Sequence, residues 1–353
     1  MTNLTNLDIT RVIGEAVAAG RHSARITGEY EISDTVILPS DFTLILEDCC
    51  LRLADGVMVQ IFRNAGAKPG EAKSAADRDH DIRLIGIGRA ILDGGEYNGL
   101  SEKTSGQDGR PHISQNNMLL FSNVTRFEIS HIQVRRQRWW ALNLLFCDNG
   151  TIRDIDFCAD DTIIDDDGNR VHGLYQGCYR KIVVKNADGV HLNAGCHDVL
   201  VENITGFCED DVVALTNLEG DLDGLYGVDG LPRDMYNIVI RNIRACSLCA
   251  IIRLLNQSGA RLYNVLIDGV FDSSLDSEHV DRGNYGIQIG DTHLYGDRQP
   301  DEDNLADVMI RNAYLRTLHG ITFAGGMKNV VTENVSAFAD DCILFDDRRT
   351  AEQ

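Results

Sequence analysis

Val199-Leu200-Val201-Glu202-Asn203-Ile204 is one copy of a segment that recurs along the chain. Phe127-Glu128-Ile129-Ser130-His131-Ile132, Ile238-Val239-Ile240-Arg241-Asn242-Ile243, Val265-Leu266-Ile267-Asp268-Gly269-Val270, Val308-Met309-Ile310-Arg311-Asn312-Ala313 and Val330-Val331-Thr332-Glu333-Asn334-Val335 repeat it, most of them closing in an Asn-apolar or Gly-apolar pair. Between them lies a second set, including Gly189-Val190-His191-Leu192, Val212-Val213-Ala214-Leu215, Ala250-Ile251-Ile252-Arg253-Leu254, Gly286-Ile287-Gln288-Ile289 and Gly320-Ile321-Thr322-Phe323. Gly189 to Val212 is 23 residues and Gly320 to Cys342 is 22; longer intervals carry polar, Gly/Asp-rich insertions. A period near 22, short strands and no intervening helices predict an all-β fold, a single parallel β-helix over residues 1–353. Asn203, Asn242, Asn312 and Asn334 are expected at sharp bends, where Asn tolerates left-handed backbone and stacks on its copy one coil away. Where they fall in Asn-x-Thr/Ser triplets they are read as bend residues and not as glycosylation sites.

An amphipathic stretch around Ile9-Thr10-Arg11-Val12-Ile13 predicts a helix over about 8–20 that covers the first coil. Insertions are expected near 64–79, 94–115, 160–178, 217–235, 272–284 and 291–305, gathered along the flanks where they wall in a groove.

The chain has 353 residues, 43% of them apolar, enough to bury a large core. With 33 Lys+Arg against 54 Asp+Glu the net charge is −21, which argues against nucleic acid and anionic membrane surfaces. No stretch reaches the ~18 apolar residues of a membrane span, and the first residues lack the basic start and apolar run of a secretion signal, so a cytoplasmic location is expected. The ten cysteines fall largely in apolar runs, as reduced core thiols do; Cys246-Ser247-Leu248-Cys249 has no second pair at zinc-ribbon spacing and is read as core. Gly86-Ile87-Gly88 lacks a third glycine and a following helix, which removes a dinucleotide site.

The stretch Asn186-Ala187-Asp188-Gly189, followed by Phe207-Cys208-Glu209-Asp210-Asp211, carries the chemistry. Asp188 precedes Asp210 by 22 residues, one coil, which places three carboxylates on one surface about 4.8 Å apart at the backbone. Like charges that close raise at least one carboxyl pKa, leaving one group protonated and another ionised, as glycosidic cleavage requires. Asp160-Asp161 and Asp340-Asp341 also follow an aromatic, so a recurring turn device is a competing explanation.

At these residues the chain resembles glycoside hydrolase family 28, the polygalacturonases. Asn186-Ala187-Asp188 with Gly189 matches the family's Asn-Thr-Asp, Glu209-Asp210-Asp211 its Gly/Gln-Asp-Asp, and Leu92-Asp93-Gly94-Gly95 its Ile-Asp-Gly-Gly, while Arg253-Leu254-Leu255 half matches its Arg-Ile-Lys. The resemblance implies a right-handed parallel β-helix and an inverting hydrolysis. It makes Asp210 the general acid, Asp188 and Asp211 the groups that activate water, and Arg253 a holder of the sugar. Two departures stand out. The family's Gly-His-Gly, expected between the Asp pair and the Arg, has no counterpart, leaving His191 or His293 to substitute in space, and its Lys is Leu255, which turns expectation toward a neutral or differently branched sugar.

Trp139-Trp140, after Arg135-Arg136-Gln137-Arg138, offers a sugar-stacking platform. Alternation along a strand would send one Trp inward, leaving Trp140 to join Asn186, His191 and Arg253 in binding substrate. Asp165-Asp166-Asp167-Gly168-Asn169 lacks the spaced ligands of a calcium loop and is read as a solvated loop. No metal and no cofactor are implied. The expected activity is exo-acting cleavage of plant- or microbe-derived oligosaccharides by a soluble glycosidase. A calcium-dependent lyase of uronate sugars and a non-catalytic glycan-binding or structural β-helix are the alternatives, and a homo-oligomer is left open.

Overall fold

Strands such as His197–Cys208 alternate apolar and polar residues, so one face turns inward while both edges carry open N–H and C=O groups. Copies of the same segment one coil away close those edges. The computed structural model describes residues 4–71, 73–96, 106–112, 115–160, 163–164, 170–171, 186–218, 225–290 and 300–346. Among the described residues, eleven strands from Leu4–Thr5 to Lys328–Ala337 form a long sheet, and ten from Val36–Leu38 to Asp341–Asp346 form a shorter one. Every neighbour in both sheets is parallel, and the chain alternates between them as a right-handed parallel β-helix. No described helix is long and apolar enough to cross a membrane.

The core is a set of columns. Ile129, Ile152, Val201, Ile240, Ile267 and Ile310 stack in register on the long sheet, all at 0% exposure. Leu142, Val190, Val213, Ile252, Ile287 and Ile321 face them from the short sheet. Each such side chain stabilises the fold by about 2–3 kcal/mol through burial.

Two rows of left-handed residues bend the long sheet. The expected row exists: Asn203, Asn242, Asn312 and Asn334 have φ between 52° and 56°, with Asp154 and Gly269 completing it. A second row, not singled out in the sequence, runs through Asp81, Arg126, Asn149, Asp198, Asn237, Asn264, Asp307 and Asn329, all near φ 55°. Along it the Asn237 amide donates to Asp198 at 2.8 Å and accepts from Asn264 at 2.5 Å.

The helix spans Asn6–Ala18, two residues earlier than expected at each end. Thr5 is its N-cap, with the Thr5 N–H donating to the Asp8 carboxylate at 2.9 Å, and Gly20 at φ 68° ends the turn that follows. Ile9, Ile13 and Ala16 face the first coil. Two of the expected insertions meet: Lys73–Ser74 pairs in parallel with Val228–Asp229, and Ala67, Leu120, Phe146 and Tyr226 pack beneath. Gly86-Ile87-Gly88 lies in the strand Asp79–Asp93, where the register shifts. Much of the 160–178 insertion, including Asp165–Asn169, lies outside the described residues, as do half of 94–115 and most of 291–305.

Asn237→Ala loses two ladder hydrogen bonds and puts a Cβ residue without side-chain compensation at φ 53°. A cost of about 2–4 kcal/mol follows. Asn237→Gly keeps the backbone and should cost less, so melting temperatures should fall in the order wild type, Gly, Ala.

Candidate active site

The site forms where chain leaving the long sheet enters the short one. His197–Cys208 ends, Glu209-Asp210-Asp211 makes the turn, and Val213–Asn217 begins. The same corner carries Ala187-Asp188 on the coil before, ahead of Val190–Asn193, and Leu248-Cys249 on the coil after, ahead of Ala250–Asn256. Val190 pairs with Val213, an offset of 23, and the Gly189 N–H donates to the Asp211 carbonyl at 2.9 Å. Just before this the Asp210 N–H donates to the Ala187 carbonyl at 3.5 Å and the Ala187 N–H to the Glu209 carboxylate, an offset of 22, so the extra residue falls at the turn itself and Asp188 faces both Asp210 and Asp211. Asp210 stacks between Ala187 and Cys249. A side chain at Gly189 would put its Cβ 2.5 Å from the Val212 carbonyl and 3.0 Å from the Phe157 ring, so glycine is required beside Asp188.

The three carboxylates are together but enclosed, with Asp188 2%, Asp210 6% and Asp211 5% exposed. Burial pushes the Asp188 carboxyl well up, and the neighbouring charges of Asp210 and Asp211 push it further, against a smaller opposing effect of Arg253. His191 Nδ1 lies 2.6 Å from Asp188 Oδ2, and burial, with Arg253, lowers the ring to about 3. Both partners favour their neutral forms, so the Asp188 carboxyl is assigned as donor to Nδ1. Asp188 Oδ1 and His191 Nε2 are buried with no hydrogen-bond partner.

Arg253 is on the coil after Asp211, its Nε 3.9 Å from the Asp211 carboxylate and its Nη1 donating to Gln288 at 3.1 Å. Glu209, fully buried, accepts from the Ala187 N–H at 3.2 Å and ties the turn to the coil before it. On the other side the Ser247 hydroxyl donates to the Asp210 carbonyl at 2.5 Å and accepts from Cys249 N–H at 2.8 Å. The Trp140 indole N–H donates to Asn186 at 2.6 Å, and its ring lies 4.2 Å from that of His191.

All seven residues singled out in the sequence, Asp188, Asp210, Asp211, Arg253, Asn186, His191 and Trp140, thus meet at this corner. Trp139 is buried and Trp140 half-buried, but by a bend after the strand Val124–Arg135 rather than by strand alternation; Trp139 has φ 40°. Asp340 pairs with Arg282, and Asp341 stands four coils from Asp211. Asp160 lies near Arg136, while Asp161 and His293 are outside the described residues. Two groups escaped the sequence reading. Cys249 was taken for core, yet it stands within 4.8 Å of the ligand atoms of Asp210 and Asp211. Gln288 was legible only through its register with Arg253. Beside the corner, a cavity of about 410 Å³ opens between Arg135, Asp156, Phe207 and His279, the last two rings stacked at 4.9 Å.

Together these features define a parallel β-helix with a carboxylate cluster at one corner. No family model and no curated protein matches the sequence. Solved structures do. The family 28 exopolygalacturonase of Yersinia enterocolitica is similar at TM-score 0.53 and 12% identity, over 95% of this chain and 65% of that one. The hyperthermoactive exopolygalacturonase of Thermotoga maritima gives TM-score 0.53 and 12% identity over 95% and 91%. A mutant tailspike protein of E. coli bacteriophage HK620, in complex with a hexasaccharide, gives 0.58 and 13% over 95% and 53%. The chain thus spans just under two thirds of the Yersinia enzyme and about half of the tailspike. At these identities the likeness fixes the fold.

Because the Asp188 carboxyl is raised in the folded protein, the unfolded chain releases that proton first as pH rises from the ordinary value of 3.8, and folding loses stability until the folded carboxyl also ionises. Asp188→Asn removes this loss. Its advantage in melting temperature over wild type should grow with pH from about 4 and then level off; a flat difference would contradict the raised carboxyl.

Proposed function

We propose that the chain is a glycosidase that hydrolyses an oligosaccharide at Asp188, Asp210 and Asp211. The observation that carries this reading is the meeting of Asp188 with Asp210 and Asp211 at one corner, almost out of water. Such a group resists full ionisation. It keeps a proton for the leaving oxygen while another carboxylate takes one from water. The family resemblance supports Asp210 as the acid, Asp188 and Asp211 at the water, and inversion; the exopolygalacturonase neighbours support attack from a chain end. Arg253 grips the sugar, and Asn186, His191 and Trp140 line its seat.

The sugar we infer is neutral. Leu255, buried but apart from the main apolar cluster, lies on the same side of its strand as Arg253, where the resemblance expects a lysine for a uronate carboxylate. Arg253 itself already faces Asp211 and Gln288. The adjoining cavity, with the Phe207 and His279 rings, supports room and an aromatic surface for the rest of the glycan. A cytoplasmic location is part of this proposal and suits small oligosaccharides taken up by the cell.

Turnover of defined neutral and acidic oligosaccharides in isotopically labelled water tests the reading. One solvent oxygen should enter the new reducing end, the first-formed anomer should be inverted, and exhaustive chelation should not stop the reaction. Asp210→Asn should lower turnover by about 10²–10⁴-fold with an unchanged melting temperature. An unsaturated, calcium-dependent product would make the protein a lyase, and tight glycan binding without turnover would make it a binding protein.

A further inference from the structure

We propose that Asp210, Asp211 and Cys249 form a binding site for a thiophilic divalent cation of the zinc group. One ligand atom from each, two carboxylate oxygens and Sγ, lies within 4.8 Å of the other two, and all three residues are buried. A tetrahedral zinc site needs such atoms roughly 3.3–3.5 Å apart, from metal–oxygen and metal–sulfur bonds of about 2.0 and 2.3 Å.

Three further observations point the same way. Cys249 belongs to none of the apolar clusters that hold Cys49, Cys147, Cys196, Cys208 and Cys246, and its thiol is hydrogen-bonded to the Asp210 carboxylate. Its backbone is fixed by the Ser247 hydroxyl, which also holds the Asp210 carbonyl, so the thiol and one carboxylate are set by a single turn. On the coil before, Asp188 Oδ1 is buried with no hydrogen-bond partner, beside the three-ligand group and not within it. The thiol selects the metal: calcium and magnesium take all-oxygen shells, whereas a thiolate with carboxylates suits zinc and its heavier congener cadmium. Binding replaces the thiol proton, which leaves to solvent as the Sγ–metal bond forms.

Occupancy would hold the carboxylates ionised and so compete with their proton chemistry; this consequence, unlike the site itself, rests on the glycosidase reading. The test uses the full chain and cadmium chloride. Equilibrium dialysis should find one tightly held cadmium per chain, with a thiolate-to-cadmium absorption band in the ultraviolet. Cys249→Ser should remove that band and weaken binding by an order of magnitude or more. Should that variant fail to fold, the nearly isosteric Asp211→Asn should keep the band and weaken binding comparably. No tight cadmium, or affinity unchanged in the variant that folds, overturns the site. Turnover that persists at saturating cadmium overturns the competition alone, while a protein that binds cadmium as described yet cleaves no oligosaccharide leaves the site standing and removes the glycosidase reading.

Discussion

Hydrogen bonding between copies of a strand one coil apart is the constraint on which everything else in this molecule depends. No coil can bury its apolar side or satisfy its backbone alone, so each is stable only as one layer of a stack. In-register parallel pairing repeats every residue's surroundings at about 4.8 Å. The isoleucine columns, the two rows of left-handed residues and the capping helix over the first coil all express that repeat. A residue's neighbours are then decided by register and not by distance along the chain: Ala214 and Arg253 are 39 residues apart and adjacent in space.

The same constraint brings charge to a place where chain chemistry alone would not. Each turn from the long sheet to the short one supplies one or two side chains to the corner, and stacking successive turns concentrates Asp188, Glu209, Asp210 and Asp211 where little water reaches them. Buried carboxylates are unfavourable. They persist because the columns beneath and the hydrogen bonds of Glu209 and Ser247 hold the turns where they are. An unfavourable cluster at one corner is thus offset by contacts along the whole stack.

The stack was legible because its period is written in apolar segments and in the asparagines at 203, 242, 312 and 334. The second row of left-handed residues was not, since Arg126, Asn149, Asp198 and Asn237 share a backbone shape but mix three residue types and sit at no common motif. Counting from motif to motif gave the carboxylates but not the one extra residue that separates an offset of 22 at Ala187 from 23 at Val190; it falls at the turn and leaves Asp188 beside both acids. Cys249 was hidden by its apolar context: as sequence it ends a CxxC in a hydrophobic run, and only the register with Asp210 turns it toward the acids. Trp140 reached its position through a bend that alternation does not anticipate.

The short pairing of Lys73–Ser74 with Val228–Asp229 joins insertions that leave the short sheet four coils apart, at Phe62 and at Val213. That span is roughly 19 Å of stack. Repeat proteins lengthen and shorten readily by duplicating or losing a unit, since every interface resembles the next. Here the strap acts as a ruler. Adding or deleting one coil between its ends would pull the two strands apart by about one strand spacing and open the Tyr226 cluster to water. The number of coils between Phe62 and Val213 is thereby fixed, while those after Asn217 lie beyond the strap's reach and are free to vary in number.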